Sequence, residues 1–118
     1  TLLDRVGAVL EEAGLAPPTV DELGALLGEP TPEAALRMLA KAGQAERVTM
    51  DRYFATSALG RFQEAVEAIG REEGEIAPAS LRDRLGISRK YLIPLLEWSD
   101  RKNLTRREGD RRILVSRG

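Results

Sequence analysis

Residues 81–114 read LRDRLGISRKYLIPLLEWSDRKNLTRREGDRRIL, and the change of period along this stretch decides the fold. Leu81 and Leu85 lie one helical turn apart and Gly86 follows, which predicts a short helix closed by glycine. Ser88 is an N-cap residue type, and Leu92, Leu95 and Leu96 then recur at helical spacing on an inward face. Beyond Asn103 the pattern changes. Leu104–Arg107 and Arg111–Val115 are strand-like runs around Glu108-Gly109-Asp110, and Gly-Asp suits a tight hairpin turn. The order is helix, helix, hairpin.

Working outward, Leu59, Phe62, Val66 and Ile69 predict a preceding helix that ends near Gly70–Gly74, with Gly70 read as a stop. The first half of the chain repeats this order. Leu2/Leu3, Val6, Val9/Leu10 and Ala13 predict a helix stopped by Gly14, and Pro17-Pro18 break the chain. Thr19 with Glu22 forms a capping box for a second helix, whose face is Val20, Leu23, Leu26 and Leu27 and whose stop is Gly28. Thr31 is expected to cap a third, with Pro32 in the first turn and Leu36, Leu39 and Ala40 inward. Glu46–Met50 and Tyr53–Ala55 flank Asp51-Arg52 as a hairpin. Leu23, Leu27 and Gly28 align with Leu81, Leu85 and Gly86 at an offset of 58, and Gly43 aligns with Asn103 at 60. Two copies of one unit describe the chain economically.

Three helices followed by a two-stranded hairpin is the layout of a winged helix, in which the second and third helices form a helix-turn-helix and the hairpin is the wing. The expected fold is therefore mostly α with short β-hairpins (α+β), as two tandem winged-helix domains over residues 1–56 and 57–118. Domains of ~60 residues bury only ~60% of their unfolded surface, so the two are expected to pack on each other or on neighbours. No Pro/Gly/Ser-rich linker lies near Thr56-Ser57, which predicts a stiff join.

Composition narrows the chemistry. The 118 residues contain no Cys and no His, which excludes disulfides, Cys/His zinc sites, iron–sulfur clusters and Cys or His nucleophiles. The lack of Cys is compatible with a reducing cytoplasm. The longest aliphatic and Gly run, Leu23–Gly28, is far short of the ~20 residues that span a membrane, and no membrane partner is expected. The chain opens on Thr1 rather than Met and reads as a processed chain or an excised fragment. Neither a G-x-x-x-x-G-K-[ST] loop nor G-x-G-x-x-G is present, and Glu11-Glu12 and Glu72-Glu73 sit near helix ends as solvated carboxylates. No catalysis, cofactor or metal is expected. The spacings Gly24-x-x-x-Gly28 and Gly70-x-x-x-Gly74 match a membrane-dimer motif only in form.

The net charge of −1 hides an asymmetry. Residues 1–56 carry five basic and nine acidic side chains, whereas 82–118 carry eleven basic and five acidic. The second copy places Ser88-Arg89-Lys90-Tyr91 where a helix-turn-helix meets its ligand, and the helix N-terminus there favours anions. The first copy places Glu29-Pro30-Thr31-Pro32-Glu33 at that point, which repels phosphate. Arg106-Arg107-Glu108-Gly109-Asp110-Arg111-Arg112 makes the second wing basic. Because strand side chains alternate, one Arg of each adjacent pair is expected to turn toward the domain. Ser88 is expected to cap its helix whatever else it does. Tyr91 can stack on a base or cover the helix flank, and Trp98 reads as core edge. Pro94, past the first turn, deletes the bond to the Lys90 carbonyl, so a kink or a tight first turn is expected.

The Ser88–Tyr91 run, Pro94–Glu97 and the Thr105–Arg112 wing together resemble the C-terminal end of bacterial selenocysteine-specific elongation factors. The first copy resembles the family's preceding winged helix mainly by layout. The resemblance implies a cytoplasmic translation factor: a GTPase body carries selenocysteyl-tRNA on the ribosome, and the last winged helix grips a messenger RNA stem-loop beside a UGA codon. By matching motif it implies RNA contacts at Ser88, Arg89, Lys90, Gly109, Asp110, Arg111 and Arg112, and also at Tyr91, Arg106 and Arg107. Physical chemistry alone leaves two rivals open, a DNA-binding winged-helix regulator and a winged helix used for protein contacts.

Overall fold

A computed structural model describes residues 1–115, in six helices and two antiparallel hairpins, an α+β winged-helix architecture. The chain divides into two compact units, Thr1–Leu59 and Gly60–Gly118. The first holds α1 (Leu2–Ala13), α2 (Val20–Leu27), α3 (Glu33–Lys41), β1 (Ala45–Thr49) and β2 (Arg52–Ala55). The helix α4 (Thr56–Glu73) begins there and runs into the second unit. It is followed by α5 (Pro78–Leu85), α6 (Arg89–Arg101), β3 (Thr105–Glu108) and β4 (Arg111–Leu114).

In the first unit the caps of α2 act as expected, but of the face expected for that helix Leu23 is buried while Leu26 is 66% exposed. Thr19 Oγ1 accepts from the Glu22 N–H while the Glu22 carboxylate accepts from the Thr19 N–H, closing the capping box of α2. Val6, Leu10, Leu23, Leu36, Leu39, Val48 and Phe54 form the core. One helix start differs. The Thr31 hydroxyl does not cap α3; Pro32 occupies the cap position with φ −75° and ψ −6°. The proline ring already fixes φ, so the turn begins without a side-chain acceptor.

The second unit packs Phe62, Val66, Ile69, Ile76, Leu81, Leu92, Leu95 and Leu96. Trp98 is buried with its ring edge-on to Phe62, at 6.3 Å between centroids. Gly70 is not a helix stop. The helix α4 continues through it to Glu73, and Gly74 takes the left-handed turn at φ 80°. A Cβ at Gly70 would collide with the Leu114 side chain, so the missing side chain lets β4 lie close against α4.

Gly43 and Asn103, aligned from sequence, both turn with positive φ after their helices, at 76° and 59°. In each unit the next residue donates back into the helix: Gln44 to the Leu39 carbonyl at 2.9 Å and Leu104 to the Ser99 carbonyl at 3.0 Å.

Candidate nucleic-acid interface

The basic residues singled out in the second unit lie on two elements, the start of α6 and the β3–β4 wing. Ser88 stands at the N-cap of α6 with an extended backbone, yet its hydroxyl makes no capping bond. Its carbonyl instead accepts from both the Tyr91 and Leu92 N–H groups, each at 3.1 Å. The Tyr91 N–H is the donor a cap hydroxyl would take, so this tight first turn displaces the side-chain cap. Pro94 lies inside α6, which continues through it to Arg101. Ser88, Arg89 and Lys90 are exposed. Tyr91 is half-buried on the helix flank, with the Lys90 ammonium 5.4 Å from its ring centre.

Register decides which wing arginine faces where. Arg107 pairs across the ladder with Arg112, and Glu108 with Arg111, around a two-residue turn in which Gly109 takes φ 63°. Thr105, Arg107, Arg112 and Leu114 therefore share one face, and Arg106, Glu108, Arg111 and Ile113 the other. On the outer face Arg106 grips Glu108 at 2.8 Å, and Arg111 meets Glu75 at 3.1 Å, both exposed pairs of small energetic value. Arg107 and Asp110 are exposed.

Arg112 departs from its expected place toward the ligand. Its guanidinium turns inward and forks onto Asp100 of α6, Nε to Oδ1 at 3.0 Å and a terminal nitrogen to Oδ2 at 2.8 Å, with only 11% of the side chain exposed. Thr105 Oγ1 donates to the same carboxylate at 2.6 Å. Ser99 Oγ, fully buried, lies 2.7 Å from Thr105 Oγ1 and 2.6 Å from the Leu96 carbonyl. With the Thr105 proton on Asp100, the single Ser99 proton serves both remaining contacts. Burial pushes the Asp100 carboxyl up, but hydrogen bonds from Arg112 and Thr105 and the charges of Arg112 and Arg107 outweigh it. The carboxyl stays below its ordinary range.

Sequence reading missed Ser99, Asp100 and Thr105. The available signal was Ser99, which continues the inward spacing of Leu92, Leu95 and Leu96 with a polar residue. The lowered Asp100 pKa makes a prediction about acid. Its contribution to stability is complete above the unfolded carboxyl value of ~3.9 and disappears as pH falls from there through the lower folded value. Urea unfolding monitored at Trp98 should show this loss below about pH 4, and Asp100→Asn should flatten it. An identical acid profile in that variant would refute the assignment.

Residues 68–114, which contain α5, α6 and the whole wing, match the family model described as elongation factor SelB, winged helix. The chain is 35% identical over 79 residues to the selenocysteine-specific elongation factor of Escherichia coli (strain K12), covering 67% of this chain and 13% of that protein. It is 31% identical over 108 residues to the factor of Desulfomicrobium baculatum, covering 90% and 17%. The structure of the mRNA-binding domain of elongation factor SelB from E. coli in complex with SECIS RNA superposes with a TM-score of 0.82. Identity is 29%, and 98% of each chain is covered. The chain belongs to the winged-helix region of the SelB family. A bacterial selenocysteine-specific elongation factor, EF-Sec, also matches, with a TM-score of 0.79 and 25% identity over 98% of this chain and 18% of that one. The chain spans less than a fifth of the length of the curated selenocysteine-specific elongation factors it matches. Among the described residues no helix is long and apolar enough to cross a membrane, and no cluster of acidic, His or Cys side chains is arranged to hold a metal.

Proposed function

We propose that this chain is the messenger-RNA anchor of a selenocysteine-specific elongation factor, two tandem winged helices of which the second holds an RNA stem-loop beside a UGA codon. The observation that carries the reading is the superposition on the E. coli SelB domain bound to SECIS RNA, over nearly the whole of both chains. Chemistry agrees. The second unit presents exposed Arg89 and Lys90 at a helix start and Arg106, Arg107 and Arg111 on a wing, while the first presents acidic Glu29 and Glu33 at the matching place. Ser88 and Tyr91 border the helix start, and Gly109 and Asp110 form the wing tip. A-form RNA closes its major groove to side chains, so sequence reading falls on a loop or bulge, where a short wing and a tight helix start fit.

Roles follow from donor and acceptor chemistry. Arg89, Lys90 and Arg111 hold backbone phosphates, and Asp110, an acceptor-only carboxylate, receives the N–H donors of an unpaired guanine edge. The first winged helix, residues 1–56 with a net charge of −4, is a spacer. The chain itself is not an enzyme. The GTPase body, selenocysteyl-tRNA carriage and the ribosome belong to the full-length cytoplasmic factor.

Filter binding tests the reading, using hairpins with a constant stem and randomised loop, the matched RNA duplex and the matched DNA. The whole chain should retain loop-containing RNA over both controls, and residues 57–118 alone should keep most of that affinity. Preference for DNA makes the chain a DNA-binding regulator, and no nucleic-acid binding makes it a protein-contact module. Binding confined to residues 1–56 overturns the assignment of the second unit.

A further inference from the structure

The polar cluster joining wing to helix in the second unit has no counterpart in the first. Leu104 bonds to Ser99 as Gln44 bonds to Leu39, which aligns α6 and β3 with α3 and β1 at an offset of 60. Val115 donates to the Leu104 carbonyl as Thr56 donates to that of Gln44, which aligns β4 with β2 at 59. On those offsets Ser99, Asp100, Thr105 and Arg112 fall on Leu39, Ala40, Ala45 and Tyr53. Leu39, Ala45 and Tyr53 are buried. One unit closes this corner with apolar packing and a tyrosine, the other with a forked ion pair.

Stability does not account for the difference, because well-packed apolar residues commonly replace such a pair at no loss. A fork does supply direction. Two parallel bonds between guanidinium and carboxylate fix both groups in a plane, and Thr105 holds the carboxylate from a second side. That sets the angle of β4 against α6. The groups it carries are the neighbours of Arg112: Arg111 beside it, Arg107 opposite it, and the Gly109-Asp110 tip. Resting on the RNA-binding reading above, we propose that Asp100, Thr105 and Arg112 are positioning residues that orient the wing before RNA arrives, and that Arg112 is not itself a phosphate ligand. Groups held in advance need not be ordered at binding, and affinity rises accordingly.

The fold supplies the test. The variant S99L/D100A/T105A/R112Y writes the first unit's corner into the second and leaves net charge unchanged. In the 118-residue chain it should unfold near the wild-type temperature. On the tightest hairpin of the randomised-loop pool, it should bind about ten-fold more weakly, the factor for ordering one or two side chains at binding. Its salt slope should match wild type. Equal affinity overturns the proposal, as does a slope reduced by ~0.7–0.9, which marks Arg112 as a phosphate ligand. Should that variant not fold, Asp100→Asn decides. It adds positive charge, so charge alone predicts tighter binding, whereas positioning predicts weaker binding. A wild-type chain that binds no hairpin removes the functional reading instead.

Discussion

Arg112→Ala is expected to destabilise the second unit by about 2–3 kcal/mol, measured by urea unfolding of the whole chain with Trp98 as reporter. Removing one member of a buried pair costs more than the pair is worth, because the other is left charged and poorly solvated. A fully dry pair loses roughly 3–5 kcal/mol. Here Asp100 is 27% exposed and keeps its bond from Thr105, so the lower figure applies. The loss corresponds to a fall in melting temperature of roughly 10–20 °C for a domain this small. Arg106→Ala is the internal control. Its pair with Glu108 is exposed, and its removal should change stability by no more than ~0.5 kcal/mol. Equal effects from the two substitutions would mean that Arg112 is as solvated as Arg106, and the brace would be refuted.

The contrast between these two arginines also shows where sequence reading stops. Features fixed by neighbours in the chain were legible: the Thr19–Glu22 box, the left-handed turns at Gly28 and Gly86, and the matching turns at Gly43 and Asn103. Each is a local backbone requirement met by a local residue type. Alternation led to the expectation that one arginine of each pair turns inward, which holds for Arg112 but not for Arg106 and Arg107, both exposed. Which arginine turned in depended on the register of β3 against β4 and on Asp100 lying opposite, both long-range facts. Gly70 failed for the same reason, since its role is set by Leu114, forty-four positions away. Ser88 and Thr31 failed differently. Their residue type favours capping, but a shared carbonyl at one helix start and a proline at the other supplied the turn. Within the candidate site, the exposure of Arg89 and Lys90 was legible because they open a helix whose inward positions are Leu92, Leu95 and Leu96.

The double variant R89A/K90A should lose the most RNA affinity for the least structural change. Both side chains are exposed in the first turn of α6, and neither carries an ion pair among the described residues. Alanine is the better helix former, so each substitution should change stability by no more than ~0.5 kcal/mol. A hydrogen bond to a charged partner is worth ~1.5–3 kcal/mol. Two lost together should weaken hairpin binding by about 3–5 kcal/mol, roughly a hundred- to several thousand-fold. If both meet phosphates, the slope of log affinity against log salt should also flatten by roughly 1.4–1.8, the release of two counterions fewer. Arg37→Ala, a comparable exposed site on α3 of the acidic unit, should leave affinity and slope within error. Affinity lost with an unchanged slope would move Arg89 and Lys90 from backbone to bases, where hydrogen bonds carry sequence preference without counterion release. Affinity retained alongside a lower melting temperature would leave them as parts of the helix, and the RNA surface would have to be sought away from α6.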